Sequence, residues 1–490
     1  MTSNAQQTDP NTADLNAIDP RVFPPTARRG PECGQLKLGG GAGSGGIRVT
    51  ELTEQFGSPL YVIDEDAARL RAREIREALQ AEARRIGTEA TVYYASKAFL
   101  CIEVARWMAE EGFAIDVASG GELAVALAAG VDPARIGFHG NNKSVDEITR
   151  AVTAGVGTII IDSEIETERI QAAARAVGRT QRVRLRVNSG VHASTHAFLA
   201  TSHEDQKFGQ ALSDAPRLVR AILEHPNLDF VGLHCHIGSQ IFATDGFRES
   251  ARRLLSVYRE LAFLAGAPIP ELNLGGGFGV PYTSEQAEDA PDVRTIARQL
   301  ADIVASSASE FGIAIPKLVF EPGRAVIAQA GVTLYTVGTT KPVQLAYSDV
   351  AGDPADLGYS ERLYVSVDGG MSDNARPALY GADYHVRIAN RVSNAPPALV
   401  RVVGKHCESG DIVVQRDHLP GDVRPGDTLA VAATGAYCWS LSSNYNYVPR
   451  PPVIAVRDNE ARVIVRGQTE EDLLAQSVGY VDARTNGDTK

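Results

Sequence analysis

The chain lacks most of what marks disulfide-stapled, membrane-spanning or nucleic-acid-binding proteins. Its 490 residues include five cysteines, at positions 33, 101, 235, 407 and 438, which form neither a CxxC pair nor a disulfide framework. A reducing cytoplasm is therefore the expected setting. No apolar run approaches the roughly 20 residues of a membrane span. The polar N-terminus, MTSNAQQTDPNTADLN, lacks the charged-then-apolar layout of a secretory signal. Positive charge is in deficit: 48 Lys and Arg face 60 Asp and Glu, a net charge of −12. That balance argues against nucleic acid or an anionic membrane as a partner.

What the chain does have is length for two substantial cores and a regular succession of short apolar strand signals. Eight fall between residues 91 and 323: TVYYAS (91–96), AIDVAS (114–119), RIGFHG (135–140), GTIIID (157–162), RVRLRVN (182–188), FVGLHCH (230–236), ELNLGG (271–276) and KLVFEP (317–322). Helical patterns such as AAARAV (172–177) and RQLADIVASSA (298–308) lie between them. Strands alternating with helices predict a parallel sheet, and eight repeats predict a closed (β/α)8 TIM-like barrel. Such a barrel takes about 250 residues, and its chemistry sits at the C-terminal mouth.

The expected layout is a disordered tail over 1–46 ending in a Gly-rich hinge, strand material over 47–66 that joins a later β domain, the barrel over 67–330, the β domain over 331–475, and a polar tail over 476–490. Asp64 is the expected N-cap of a helix that turns Leu70, Ile75, Leu79 and Ile86 to one face. Beyond the barrel, GVTLYTVGTT, RLYVSVDGG, ALVRVVGKHC, DIVVQRD and DTLAVAA are short, Val-rich and turn-bounded. They predict an all-β domain of antiparallel strands, a barrel or sandwich. Residues 346–361 read as a surface loop, 452–467 as a hairpin turning at Asp458-Asn459, and EEDLLAQ as a short helix.

Nearly every reactive side chain of the barrel region follows a strand end. Lys97 sits among Tyr93, Tyr94, Ala95 and Ala98, an apolar setting that disfavours an ammonium and suits a Schiff-base amine; a solvated lysine is the blander alternative. Gly275-Gly276-Gly277 after the seventh strand lets backbone N–H groups approach a phosphate, or is a plain tight turn. Glu321-Pro322-Gly323-Arg324 after the eighth offers a guanidinium clamp and a carboxylate for a cationic ring nitrogen, or a simple Pro-Gly turn with an ion pair. His234 and His236 share a strand face and could make half a metal site, with His139 as a further ligand but no carboxylate pattern to complete the set. His236 fits better as a ring stacked on a flat cofactor, with Ser239 offering a hydroxyl to phosphate. In the β domain, Cys407 is flanked by polar residues, which favours an exposed thiol.

Together these pieces resemble the fold-type III pyridoxal-phosphate decarboxylases, and among them those acting on diaminopimelate. The likeness covers roughly residues 50–475. It rests on Y-A-S-K-A, D-V-A-S-G-G-E-L, H-G-N-N-K-S, H-C-H-I-G-S-Q, G-G-G-F-G, E-P-G-R, R-P-A-L-Y, C-E-S-G-D and G-A-Y-C, nine motifs in the family's order. It implies a pyridoxal 5'-phosphate enzyme that converts meso-2,6-diaminopimelate to L-lysine and CO2. By the same match Lys97 carries the cofactor covalently, His236 stacks on its ring and Glu321 pairs with its ring nitrogen. Ser239, Gly276, Gly277, Pro322, Gly323 and Arg324 surround the phosphate. Arg324, Arg376, Tyr380, Glu408 and Tyr437 match substrate-holding positions, Tyr437 also touching the cofactor, and Cys407 matches the proton donor. The resemblance further implies a homodimer with shared active sites and no metal. The chain departs from the family pattern at Ser189, His192 and Lys405.

Three other readings compete. One is a decarboxylase of the same fold for ornithine, arginine, lysine or carboxynorspermidine, against which C-E-S-G-D, R-P-A-L-Y and S-S-N-Y-N (442–446) favour diaminopimelate. Another is a barrel metal hydrolase using His234 and His236. The last is a catalytically dead regulatory homologue, against which Lys97, Glu321 and Cys407 stand.

Overall fold

The computed structural model describes residues 14–41, 45–191, 206–345 and 359–480. They form two compact units: 68–281 with 286–328, and the remainder, which includes 282–285.

The first unit is the barrel. Strands Ala90–Ala95, Ala114–Val117, Ile136–Phe138, Thr158–Ile161, Gln181–Asn188, Leu228–His234, Glu271–Asn273 and Lys317–Phe320 are the first to eighth barrel strands. Each pairs in parallel with the next, and the eighth returns to the first through Leu318 to Phe320 beside Ala90 to Val92. All eight strand signals thus become strands and the sheet closes. The reason is visible in the burial: Thr158–Ile161 and Ala114–Val117 are buried at every residue, as strands covered on both faces must be. Helices connect them because parallel neighbours need a crossover. Val145–Ala154 begins at a Ser144–Glu147 capping box and ends at left-handed Gly155, a local start signal and a local stop signal.

The second unit holds a nine-stranded sheet in which Leu60–Asp64 lies between Gly331–Gln344 and Val453–Arg457. It is mixed rather than antiparallel. Glu361–Val367 runs parallel to Pro397–Val403, and Val453–Arg457 parallel to Leu60–Asp64. Short turn-bounded strands suggested hairpins throughout, yet these neighbours are joined by long connections, which permit parallel pairing. The hairpin of Val453–Arg457 and Glu460–Val465 forms as expected, with Asp458 and Asn459 at positive φ, the requirement of a type I′ turn. Helix Glu470–Leu474 follows.

The expected disordered tail is corrected for residues 14–41, which are folded. Arg28–Arg29, Leu36–Leu38 and Ile47–Arg48 form a small sheet, and Val22, Phe23, Leu36 and Leu38 are buried. The Leu36 amide donates to Ala389 O at 2.7 Å and Arg29 to Ile388 O at 2.7 Å. The apolar groups were too few to signal a core alone; their partners lie some 350 residues away. Asp64 caps helix Glu65–Arg85 by accepting from Ala67 N at 2.9 Å, but Leu70, placed on its inner face, is solvent-exposed. The proposed loop at 346–361 falls mostly outside the described residues, as do His192 and the last ten residues.

Candidate active site

The C-terminal mouth of the barrel gathers the reactive groups. Lys97 stands in the turn Ser96–Ala98 just past the first strand. Solvent reaches its side chain, but protein crowds the ammonium. That desolvation, with Arg186 adding repulsion, lowers its pKa below the usual lysine value, so more of the amine is free at neutral pH.

Glu321, directly after the eighth strand, is the most heavily engaged group. Its Oε1 accepts from Asn273 Nδ2 at 2.5 Å and His139 Nε2 at 3.1 Å, and its Oε2 from His234 Nε2 at 3.0 Å. Burial opposes its charge, yet the two histidines hold its pKa well below the ordinary range. A carboxylate has about four acceptor sites and no proton to give. Three are taken by donors, so the remaining partner must also be a donor. His234, buried, has its pKa pushed down to about 4 by desolvation and is neutral, with the proton on Nε2. His236 is likewise neutral, lowered to about 3 by burial, with Lys97 and Arg186 acting in the same direction.

The glycine run bends where side chains could not. Gly275 and Gly277 have φ of +68° and +102°. A Cβ on Gly276 would collide with the Glu321 carbonyl, and one on Gly277 with that of Gly238. Gly276 N lies 3.4 Å from His236 Nδ1. At the far side, Arg324 Nη2 donates to Ser239 Oγ at 2.8 Å, and a Cβ on Gly323 would meet Ala95 O at 2.7 Å. Peptide groups, a hydroxyl and a guanidinium thus converge where backbone can approach closely, a donor set suited to a phosphate.

Lys97, His236, Ser239, Gly276, Gly277, Glu321, Pro322, Gly323 and Arg324 therefore all lie at this mouth. Asp116 and Asn273, to which the sequence reading gave no role, belong to it too, as do His139 and His234, which that reading weighed only as metal ligands. Asp116 and His139 lie inside quoted motifs at strand ends, which was the available signal. The carboxylate judged missing beside the histidines is Glu321: it, His139 and His234 bring one polar atom each within 4.8 Å of one another. The donors facing Glu321 give the cluster the form of a hydrogen-bonded ion group.

The remaining expected residues lie in the β unit. Arg376 opens helix Arg376–Tyr380 and is buried. It donates to Tyr384 Oη at 2.5 Å and lies 4.4 Å from the Tyr282 ring centroid. Tyr380 is 69% exposed. Cys407 and Glu408 are also exposed, on a turn pinned by buried Asp411, which accepts from Met371 N at 2.6 Å and His406 N at 2.8 Å. Tyr437 has a φ of +63°, a strained value for a bulky residue.

A family model described as the pyridoxal binding domain of pyridoxal-dependent decarboxylases matches residues 72–328. Diaminopimelate decarboxylase of Mycobacterium tuberculosis is 48% identical over 471 residues, covering 95% of this chain and 99% of that one. The enzyme of that name from Bacillus subtilis is 40% identical over 432 residues, 88% and 93% of the two chains. Among solved structures, diaminopimelate decarboxylase of M. jannaschii in complex with L-lysine superposes with a TM-score of 0.80 at 30% identity, covering 93% of this chain and 98% of that one. The Helicobacter pylori enzyme, also with L-lysine, gives 0.74 at 27%, covering 88% and 99%. The cofactor of such a site is pyridoxal phosphate. The chain belongs to the pyridoxal-dependent decarboxylases and, within them, to the diaminopimelate decarboxylase family.

Proposed function

We propose that this chain removes one α-carboxylate from meso-2,6-diaminopimelate to give L-lysine and CO2, at a site shared between two subunits of a homodimer. The observation that carries the reading is Glu321, an anion with three donors already in place and room for one more. A protonated pyridine nitrogen is such a donor. When bound, pyridoxal phosphate supplies an electron sink for the pair left on the α-carbon as CO2 departs.

The chain's own residues divide the remaining work. Lys97 offers an amine of lowered basicity to hold the cofactor. Ser239, Arg324 and the backbone around Gly276, Gly277, Pro322 and Gly323 hold its phosphate, and neutral His236 presents a flat ring to its face. Glu321 keeps a proton on the ring nitrogen. Arg324 and Arg376 against Glu408 suit a substrate end bearing both carboxylate and ammonium, with Tyr380 and Tyr437 beside them. Cys407 delivers a proton to the α-carbon. The exposure of Cys407, Glu408 and Tyr380 supports their serving the site of a partner subunit. Five free thiols support a reducing cytoplasm as the setting. Among the described residues no helix is long and apolar enough to cross a membrane.

The test is product analysis with purified, cofactor-loaded protein offered diaminopimelate, lysine and ornithine side by side. Lysine and CO2 from diaminopimelate are expected. Faster turnover of ornithine or lysine would overturn the substrate assignment.

A further inference from the structure

Two carboxylates share the floor of the barrel mouth. Asp116 Oδ1 and Glu321 Oε1 lie 3.3 and 3.1 Å from the same atom, Nε2 of His139. Buried like charges this close cannot both ionise unless a cation stands between them. Asp116 shows the conflict: burial and the Glu321 charge push its pKa up to about 6. His139 shows the compensation, raised to about 9 because Glu321 and Asp116 together outweigh the cost of burying its charge.

His139 is also held in place. Its amide donates to Val117 O at 2.7 Å. The turn after it is anchored by Lys143, whose Nζ donates to Gly140 O at 2.6 Å and Ile160 O at 2.8 Å and pairs with buried Glu166 at 3.1 Å. The His234 ring packs edge-on at a centroid distance of 4.9 Å. The other charges acting on this group are Lys97, Glu122, Arg184 and Arg186.

We propose that His139 is a positioning residue for decarboxylation, a cation held by Asp116 that keeps Glu321 an anion facing the cofactor's ring nitrogen. The proposal rests on the function assigned above. The triad carries one net negative charge. Without His139 it would carry two, and the site would take up a proton. Asp116, already pushed up by burial and the Glu321 charge, competes for that proton. Glu321, however, loses the His139 charge that holds its own pKa down, and whatever share of the proton it takes turns the acceptor into a donor and leaves the ring nitrogen unprotonated. Asp116 then has a defined part: its charge, 3.3 Å from His139 Nε2, favours the imidazolium, while the Nε2 hydrogen bond itself goes to Glu321.

Nitrogen-15 NMR of the imidazoles in wild-type apoprotein tests the charge directly and needs no variant. One of the ten histidines should keep both ring nitrogens protonated at pH 8; if none does, the proposal fails. In His139→Gln, which retains a hydrogen-bond donor, that signal should vanish. The Kd for pyridoxal phosphate should rise at least tenfold, and the acid limb of kcat should move to higher pH. Adding Asp116→Asn removes the second negative charge and should recover most of the lost affinity, which a merely structural role for His139 would not produce. A folded double variant that binds no better than His139→Gln overturns the proposal, as does a single variant that binds like wild type. Wild-type protein that neither binds the cofactor nor decarboxylates would instead sink the functional reading, while the NMR result still reports on His139.

Discussion

The Arg324 guanidinium donates to the Ser239 hydroxyl at 2.8 Å, joining the segment after the eighth barrel strand to the one after the sixth. The two residues are 85 positions apart in sequence. A charge-assisted hydrogen bond is worth about 1.5–3 kcal/mol, so Arg324→Ala should weaken pyridoxal phosphate binding by roughly 10- to 150-fold. Ser239→Ala should weaken it less. Fluorescence titration of the apoprotein measures both, and an unchanged Kd in Arg324→Ala removes it from the phosphate site.

Lys97→Ala should abolish the visible absorption band that borohydride fixes onto the protein. In wild-type apoprotein, burial and Arg186 lower the amine's pKa, so the rate of cofactor attachment should rise with pH and level off below 10.5. Arg186→Gln should shift that midpoint upward. A Lys97→Ala protein that keeps both band and turnover refutes covalent attachment there.

Cys407→Ala should leave cofactor affinity intact while cutting turnover by about 10²–10⁴-fold, the usual contribution of a positioned proton-transfer group. Spectral titration and steady-state kinetics on the same preparation separate the two effects. Unchanged kcat would take the thiol out of the mechanism.

Mixing Lys97→Ala with Cys407→Ala protein should restore activity if each site draws on both subunits, because every dimer with one subunit of each kind then contains one intact site. The control is proof of exchange by tagged subunits. Exchange without rescue counts against the shared site.

Beneath the mouth, Arg184 donates to Glu271 Oε2 from Nη2 at 2.7 Å and Nε at 3.0 Å, while Arg182 reaches Oε1 at 3.0 Å. Glu271→Gln leaves a buried guanidinium without its counter-charge and should cost about 3–5 kcal/mol of stability, read by urea unfolding. Burial alone would raise the Glu271 pKa, but Arg184 and Arg182 bring it below 4.5. A carboxylate with a depressed folded pKa contributes stability above its unfolded value and loses it as pH falls through the folded one. The gap between wild type and variant should therefore hold above pH 4.5 and shrink below it; a gap constant down to pH 3 contradicts the pair.

Much of the molecule is legible in local pattern. GTIIID and AIDVAS are continuous apolar runs bounded by turn residues, and both become fully buried strands. Asp458-Asn459 announces its hairpin because few residues tolerate positive φ. The tail at 14–41 was not legible, since Phe23 and Leu36 acquire their burial from segments far along the chain.

By itself the sequence determined which side chains stand at the ends of the barrel strands, because alternation and apolar runs are properties of neighbouring residues. It also fixed the glycines whose backbone must bend. Only the tertiary structure decided that Asp116, His139, His234 and Asn273 meet around Glu321. Closing the sheet from the eighth strand back to the first sets those distances. In a buried site a few ångströms separate a mutual repulsion from a stabilised ion, and no spacing along the chain encodes them.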